Sequence, residues 1–147
     1  MSKNIILVVI LVSIFITGCN RIRTEENSII EIRERMFLTQ IQDIYMNINS
    51  YLGKTLRLEG IFLNSQMNGE QFYSVYRNSI DNCCGGGKIG FDVRWPEGHE
   101  KPFPETDSWV DVTGVLSFYQ QGSSRFLYLE LSSLRVMNTR GLEFVNR

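Results

Sequence analysis

The stretch Leu56-Arg57-Leu58-Glu59-Gly60-Ile61 is matched in pattern by Val110-Asp111-Val112-Thr113-Gly114-Val115. In both stretches apolar and polar residues alternate, which is typical of a β-strand with one buried face. In both, a glycine interrupts the alternation and an apolar residue follows it. A long strand that serves two walls of a small closed barrel must bend sharply, and glycine permits the bend. The paired pattern therefore favours a small barrel, with a β-sandwich of similar strand count as the alternative.

Segments of similar character on either side of these stretches predict the remaining strands. The five predicted strands are residues 54–62, 71–77, 88–95, 108–116 and 125–131, with 134–137 as an added edge strand. Five strands, two of them bent at a glycine, fit the partly open barrel called the OB-fold. The predicted fold class is mainly β, a small five-stranded OB-like barrel formed by residues 36–138.

An amphipathic helix is predicted over residues 36–48, directly before the first strand. Its apolar residues recur at helical spacing, and they are Phe37, Ile41, Ile44, Tyr45 and Ile48. This stripe is expected to pack against the barrel core. At the other end of the domain, residues 139–147 are predicted to form a loose tail.

The N-terminal apolar run ends in Ile16-Thr17-Gly18-Cys19, which has the pattern of a bacterial lipobox. The run is about a dozen residues long, whereas a helix that spans a bilayer needs ~20. We therefore predict a lipoprotein signal peptide over residues 1–18 and lipid attachment, palmitate included, at Cys19. The polar residues 19–35 are predicted to be a tether. The mature protein is then expected on the extracytoplasmic face of a membrane, held there by its lipid anchor.

The charge balance is nearly flat, with 15 Lys and Arg against 16 Asp and Glu. The sequence shows no basic run, so nucleic acid is excluded as an expected partner and anionic lipid is disfavoured. Several aromatic residues fall on predicted strands, where they would either stack on a ligand or pack inside. They are Tyr73, Tyr76, Trp109, Phe126 and Tyr128. Packing in the core or against the helix is the role expected for them.

Three cysteines are present, and two of them, Cys83 and Cys84, are adjacent. If Cys19 carries lipid, the pair can form a vicinal disulfide, two thiols, a metal-bound pair or cross-links to another chain. Adjacent thiolates are soft ligands that favour Cu(I), Zn or Cd. The residues that could support them as ligands are Asp81, Asp92 and His99.

Three roles for the cysteine pair follow from these chemistries. The pair can bind a soft metal such as zinc or dock a partner, it can cycle between dithiol and vicinal disulfide, or it can only rigidify its loop. No catalytic residue is predicted, because a single histidine and the lack of a nucleophile elbow exclude a Ser-His-Asp triad. The run Gly85-Gly86-Gly87 is not a phosphate loop, since Lys88 opens a strand. A non-enzymatic binding or accessory module is therefore expected.

A set of short motifs over residues 37–135 resembles the OB-like C-terminal domain of the YcgQ-like family of uncharacterised permease subunits, and of small lipoproteins similar to it. The motifs are Tyr51-Leu52-Gly53-Lys54, Glu59-Gly60-Ile61-Phe62, Tyr76-Arg77, Cys83-Cys84, Ile89-Gly90-Phe91 and Trp109-Val110-Asp111-Val112-Thr113-Gly114. The double cysteine after an arginine-containing strand is the most specific of them. Permease-associated members have an acidic residue soon after the double cysteine, where this chain has Gly85-Gly86-Gly87. The resemblance implies an OB-like fold, a membrane location, and a permease or another envelope protein as partner.

Overall fold

Long strands dominate the computed structural model, which describes residues 28–67, 69–80, 87–99 and 101–146. Two α-helices and a short 3-10 turn (Glu34–Met36) precede the longer strands. The elements in these residues are β1 (Ile30–Glu31), α1 (Phe37–Met46), α2 (Ile48–Tyr51), β2 (Thr55–Met67), β3 (Glu70–Ser79), β4 (Gly87–Arg94), β5 (Trp109–Gln121), β6 (Ser124–Val136) and β7 (Phe144–Val145).

Five strands close into a barrel in the order β2-β5-β6-β4-β3, with β3 returning to β2. Neighbouring strands are antiparallel except β4 and β6, which are parallel. This Greek-key order is that of the OB-fold, so the predicted fold class is confirmed. The short strand β1 adds to β2 and β7 adds to β3, both in parallel.

The bend predicted at Gly60 is where β2 changes partner. Residues up to Ile61 pair with β5, and residues from Ile61 onward pair with β3. A Cβ on Gly60 would lie 2.7 Å from the Tyr76 carbonyl oxygen, so only glycine allows the two backbones to approach. At Gly114 the register with β6 shifts, which is a bulge that bends β5. Both glycines therefore do what their positions in the alternation predicted.

The core is built from the inward faces of the five strands and from α1. Helix α1 contributes Phe37, Leu38, Ile41 and Ile44, each at most 2 % exposed. The helix is shorter than predicted and breaks at Asn47 before α2. Tyr45, expected on the apolar stripe, is instead 48 % exposed.

Two segments that the sequence assigns to the periphery pack against the barrel. Within the predicted tether, Ile30–Glu31 pairs with β2 and Ile32 is buried. Within the predicted loose tail, Phe144–Val145 pairs with β3 and Val145 is 4 % exposed. The prediction of a loose tail is wrong for these residues, because Val145 joins the core and its backbone joins the sheet. Among the described residues, no helix is long and apolar enough to cross a membrane.

The strand directions give the barrel two distinct ends. At one end, which we call the proximal end, β2 begins, β3 ends, β4 begins and β5 turns into β6. Its marker residues are Thr55, Ser79, Gly87 and Gln121. The tip of the β2–β3 hairpin, at Met67, marks the distal end. Because β1 runs parallel to β2, the first residue of β1, Ile30, is on the proximal side of Glu31.

Candidate functional site

The loop with the two cysteines connects β3 to β4 at the proximal end. Its last described flanking pair is Ser79 with Gly87, which are partners in the sheet. Asp81, Cys83 and Cys84 lie outside the described residues, as does the predicted lipid-bearing Cys19. The structure therefore describes the strand ends on either side of this loop.

The C-terminal segment is hydrogen-bonded to the end of β3, where that loop begins. The Asn78 backbone N–H donates to the Glu143 carbonyl oxygen at 2.8 Å, and the Ile80 N–H donates to that of Val145 at 3.2 Å. With β4 on its other side, the end of β3 is therefore hydrogen-bonded along both edges. A strand paired on both edges resists fraying, so the loop starts from a rigid point.

Arg77, two residues before the end of β3 at Ser79, is 1 % exposed. Its Nε donates to the Glu59 carbonyl oxygen at 2.9 Å, and its Nη1 donates to that of Leu142 at 3.1 Å. The guanidinium carbon lies 4.7 Å from the centre of the Phe37 ring and 4.9 Å from that of Trp109. One side chain thus joins β2, β3, β5, α1 and the C-terminal segment.

Burial lowers the pKa of Arg77, while Glu34 and Glu59 oppose that shift. Nη1 lies 3.5 Å from Oε2 of Glu34, and Trp109 Nε1 donates to Oε2 of Glu59 at 3.2 Å. The two glutamates and the hydrogen bonds to backbone carbonyls together offset the free-energy cost of burying the Arg77 guanidinium. We call Arg77, Glu34, Glu59, Phe37 and Trp109 the buried arginine cluster. In the sequence Arg77 stands out only as part of the motif Tyr76-Arg77. Its burial was not predictable, because nothing in the strand alternation distinguishes a buried arginine from an exposed one.

A second ionic group lies on the outside of β2, β5 and β6. Asp111 is 6 % exposed and accepts hydrogen bonds from Arg57 Nε at 3.0 Å, Arg57 Nη2 at 2.9 Å and Arg135 Nη2 at 2.9 Å. The Arg57 hydrogen bonds, with Arg135, hold the pKa of Asp111 below its usual range. Its carboxylate borders a cavity of about 440 Å³ that also reaches Arg77. A carboxylate held by two guanidiniums is a structural ion pair and a poor proton acceptor.

The proposed supporting ligands Asp92 and His99 lie elsewhere. Asp92 is on β4, five residues from Gly87 and so about 17 Å along the strand. Its carboxylate accepts a hydrogen bond from the Tyr119 hydroxyl at 3.3 Å, and burial raises its pKa. His99 lies on the exposed connection between β4 and β5. Within the described ranges, His, Cys, Asp and Glu side chains form no group of three or more that could hold a metal.

The strand aromatics divide between inside and outside. Trp109 is 2 % exposed, and Tyr73 stacks on Phe103 with ring centres 4.0 Å apart, so both pack inside as expected. Tyr76, Phe126 and Tyr128 lie on the outer face, which corrects the expectation of a core role for them. Lys88 lies over the Tyr76 ring at 4.6 Å, Arg94 lies over the Tyr128 ring at 4.9 Å, and Phe126 stacks on Tyr119 with ring centres 5.3 Å apart.

A groove of about 270 Å³ crosses this outer face near the proximal end. Tyr45, Lys88, Asp92, Arg125 and Phe126 are among the residues that line it. The Tyr45 hydroxyl donates to the Gly90 carbonyl oxygen at 2.8 Å, which fixes the end of α1 against β4. Burial, with the nearby Asp92 charge, raises the pKa of Tyr45 to about 12, so this hydroxyl remains a donor at neutral pH.

The topology defines a small OB-type barrel with a groove on its outer face. The chain belongs to the family described as the DUF1980 C-terminal domain, which matches residues 20–145. This assignment is consistent with the resemblance to the C-terminal domain of the YcgQ-like subunits. The match includes residues 20–35 and 139–145, the segments whose packing the sequence did not predict. A comparison with proteins of curated function finds no match.

Proposed function

We propose that this chain is a lipid-anchored, extracytoplasmic binding module that serves a permease or another envelope protein in the same membrane. The observation that carries the proposal is the rigid base of the Cys83–Cys84 loop. That base lies at the proximal end, toward which the start of β1 points. A lipid on Cys19 would therefore bring this loop toward the membrane in which a permease sits.

The ligand of this module is a soft metal ion, zinc in the first instance, held by the thiolates of Cys83 and Cys84. Two thiolates supply half of the four ligands that zinc usually takes in proteins. Asp81 in the same loop can supply a third, and the partner protein supplies the remainder. An ion shared between module and partner explains why a small domain without predicted catalytic groups has an adjacent cysteine pair.

Mass spectrometry of the membrane fraction tests the anchor. The mature chain is expected to begin at Cys19 and to carry acyl chains, and Cys19→Ser should abolish both the modification and membrane retention. A mature chain that is cleaved elsewhere, or that carries no acyl group, would contradict the anchor.

Metal analysis of protein purified under reducing conditions tests the ligand. Wild type should hold stoichiometric zinc or copper, and the double variant Cys83→Ser/Cys84→Ser should hold none. Cys19→Ser is the control for the anchor, since it removes the lipid-bearing cysteine and leaves the pair intact. Metal-free wild type whose monomer mass falls by ~2 Da on mild oxidation would instead support a vicinal dithiol–disulfide couple. Metal-free protein with unchanged mass would leave the pair a purely structural role.

A further inference from the structure

We infer that the β5–β6 hairpin at the proximal end rests on the phospholipid surface itself, an inference that depends on the proposed lipid anchor at Cys19. At the hairpin tip, the end of α1 and the start of β4, apolar and basic side chains line one groove, and they are Tyr45, Lys88, Arg125 and Phe126. We call these four residues the proximal patch. Phe118 lies on the opposite face of the same hairpin, because it pairs with Leu127 whereas Phe126 pairs with Tyr119.

The sheet register places the hairpin tip on the side of the barrel toward which the start of β1 points. Leu56 pairs with both Ile30 of β1 and Gly114 of β5, so these two residues lie at one level. From Gly114, β5 runs seven residues further to Gln121, about 24 Å in the proximal direction. The eleven residues from Cys19 to Ile30 can span at most about 40 Å. The anchored thiol and the hairpin tip can therefore reach the same plane.

The hairpin presents apolar side chains that the barrel does not cover. Beyond Leu116, β5 has only β6 as a neighbour among the described strands, because β2 begins at Thr55. Phe118 is 39 % and Phe126 is 41 % exposed. Tyr45 lines the same groove as Phe126, and the adjacent Met46 is 83 % exposed. Apolar and aromatic side chains of this kind gain free energy by entering the interfacial region of a bilayer.

Basic side chains accompany these apolar ones, each held against a ring. Arg125 lies over Phe118 at 4.5 Å and Lys88 over Tyr76 at 4.6 Å. Asp92, which lines the same groove, accepts a hydrogen bond from the Tyr119 hydroxyl. Cations next to exposed aromatics suit a surface of anionic headgroups. The flat charge of the sequence hides this arrangement, because Lys88 and Arg125 are far apart along the chain.

Tryptophan fluorescence of the acylated full-length protein in vesicles of phosphatidylglycerol and brominated phosphatidylcholine tests the inference. Phe126→Trp places a reporter in the proximal patch, and Met67→Trp places a matched reporter at the other hairpin tip, where Met67 is 57 % exposed. Signal from Trp95 and Trp109 is subtracted using wild type. Bromine should quench Trp at position 126 and leave Trp at position 67 unquenched.

Three outcomes decide the matter. Acylated protein that floats with the vesicles but shows no quenching at position 126 overturns the membrane contact and leaves the anchor standing; the patch then fits a protein surface. Protein without acyl chains overturns the anchor, and the inference with it. For Cys19→Ser protein, Lys88→Gln or Arg125→Gln should each weaken binding to anionic vesicles about fivefold. Both variants should leave binding to vesicles of phosphatidylcholine alone unchanged, and equal binding to both lipids would contradict the headgroup contact.

Discussion

Arg77 and Arg125 both lie over aromatic rings, yet their surroundings give them opposite roles. Arg77 is 1 % exposed and its guanidinium donates to two backbone carbonyls inside the buried arginine cluster. Arg125 lies on the exposed hairpin and contacts Phe118. A buried guanidinium with several partners holds a fold together, whereas an exposed one on a ring remains available to a ligand. Side-chain type alone does not separate a buried, structural arginine from an exposed one.

The largest expected effect follows from removing the buried member of this pair. Arg77→Ala should lower the free energy of unfolding by about 3–5 kcal/mol, because the carbonyls of Glu59 and Leu142 lose a buried charged donor. Arg125→Ala should change it by less than about 0.5 kcal/mol. Urea unfolding followed by fluorescence measures both.

Arg77→Lys sharpens the same comparison, since lysine keeps the charge but not the planar fork. It should be destabilised less than Arg77→Ala and more than Arg125→Ala. Equal stability of the Arg77 and Arg125 variants would show that the buried arginine cluster contributes nothing to the frame of the loop.

A smaller effect is expected at Asp111, the acid held by two arginines. Its pKa is lowered in the folded state, so it stabilises the fold above the unfolded pKa of about 4 and loses that contribution as pH falls toward the folded value. Asp111→Asn should cost about 1 kcal/mol at pH 7, since its arginine partners are partly exposed and water screens them. The difference between wild type and variant should shrink at pH 3, and a difference that does not depend on pH would contradict the ion pair.

The smallest effect is expected at Asp92, the half-buried acid of the outer groove, whose pKa is shifted the other way. A carboxyl with a raised folded pKa destabilises the fold as pH rises through the unfolded pKa. Asp92→Asn should therefore be neutral or more stable at pH 7 by at most about 0.5 kcal/mol, because asparagine can still accept from Tyr119. Comparing thermal unfolding of Asp92→Asn and Asp111→Asn at pH 7 checks that the two signs are opposite.

Strands with a strict alternation were predictable, because every second residue is apolar and faces the core while the residues between them are polar and face outward. The strand around Phe91 and Val93 and the glycine-bent strands are of this kind. Strands β1 and β7 were not predictable, since two residues carry no period. Tyr45 fits the helical stripe and its ring stacks on the buried Phe91, but it stays 48 % exposed and its hydroxyl donates to the Gly90 carbonyl oxygen, a partner that is distant in sequence.

The candidate site was predictable only in part. The adjacent cysteines are evident from their chemistry, and their loop lies between the two predicted strands, although β3 extends two residues further than predicted, to Ser79, and β4 begins one residue earlier, at Gly87. The ring–cation contacts and the buried position of Arg77 depend on residues from several strands, which no local pattern brings together.

By itself the sequence determined the barrel class, the position of the two bends and the location of the cysteine pair, because alternation and glycine placement act over a few neighbouring residues. Only the tertiary structure decided which end of the barrel carries the loop, that the C-terminal segment is hydrogen-bonded to its base, and that Lys88 and Arg125 line one groove. Those facts arise from strand direction and barrel closure, which join residues that are remote along the chain.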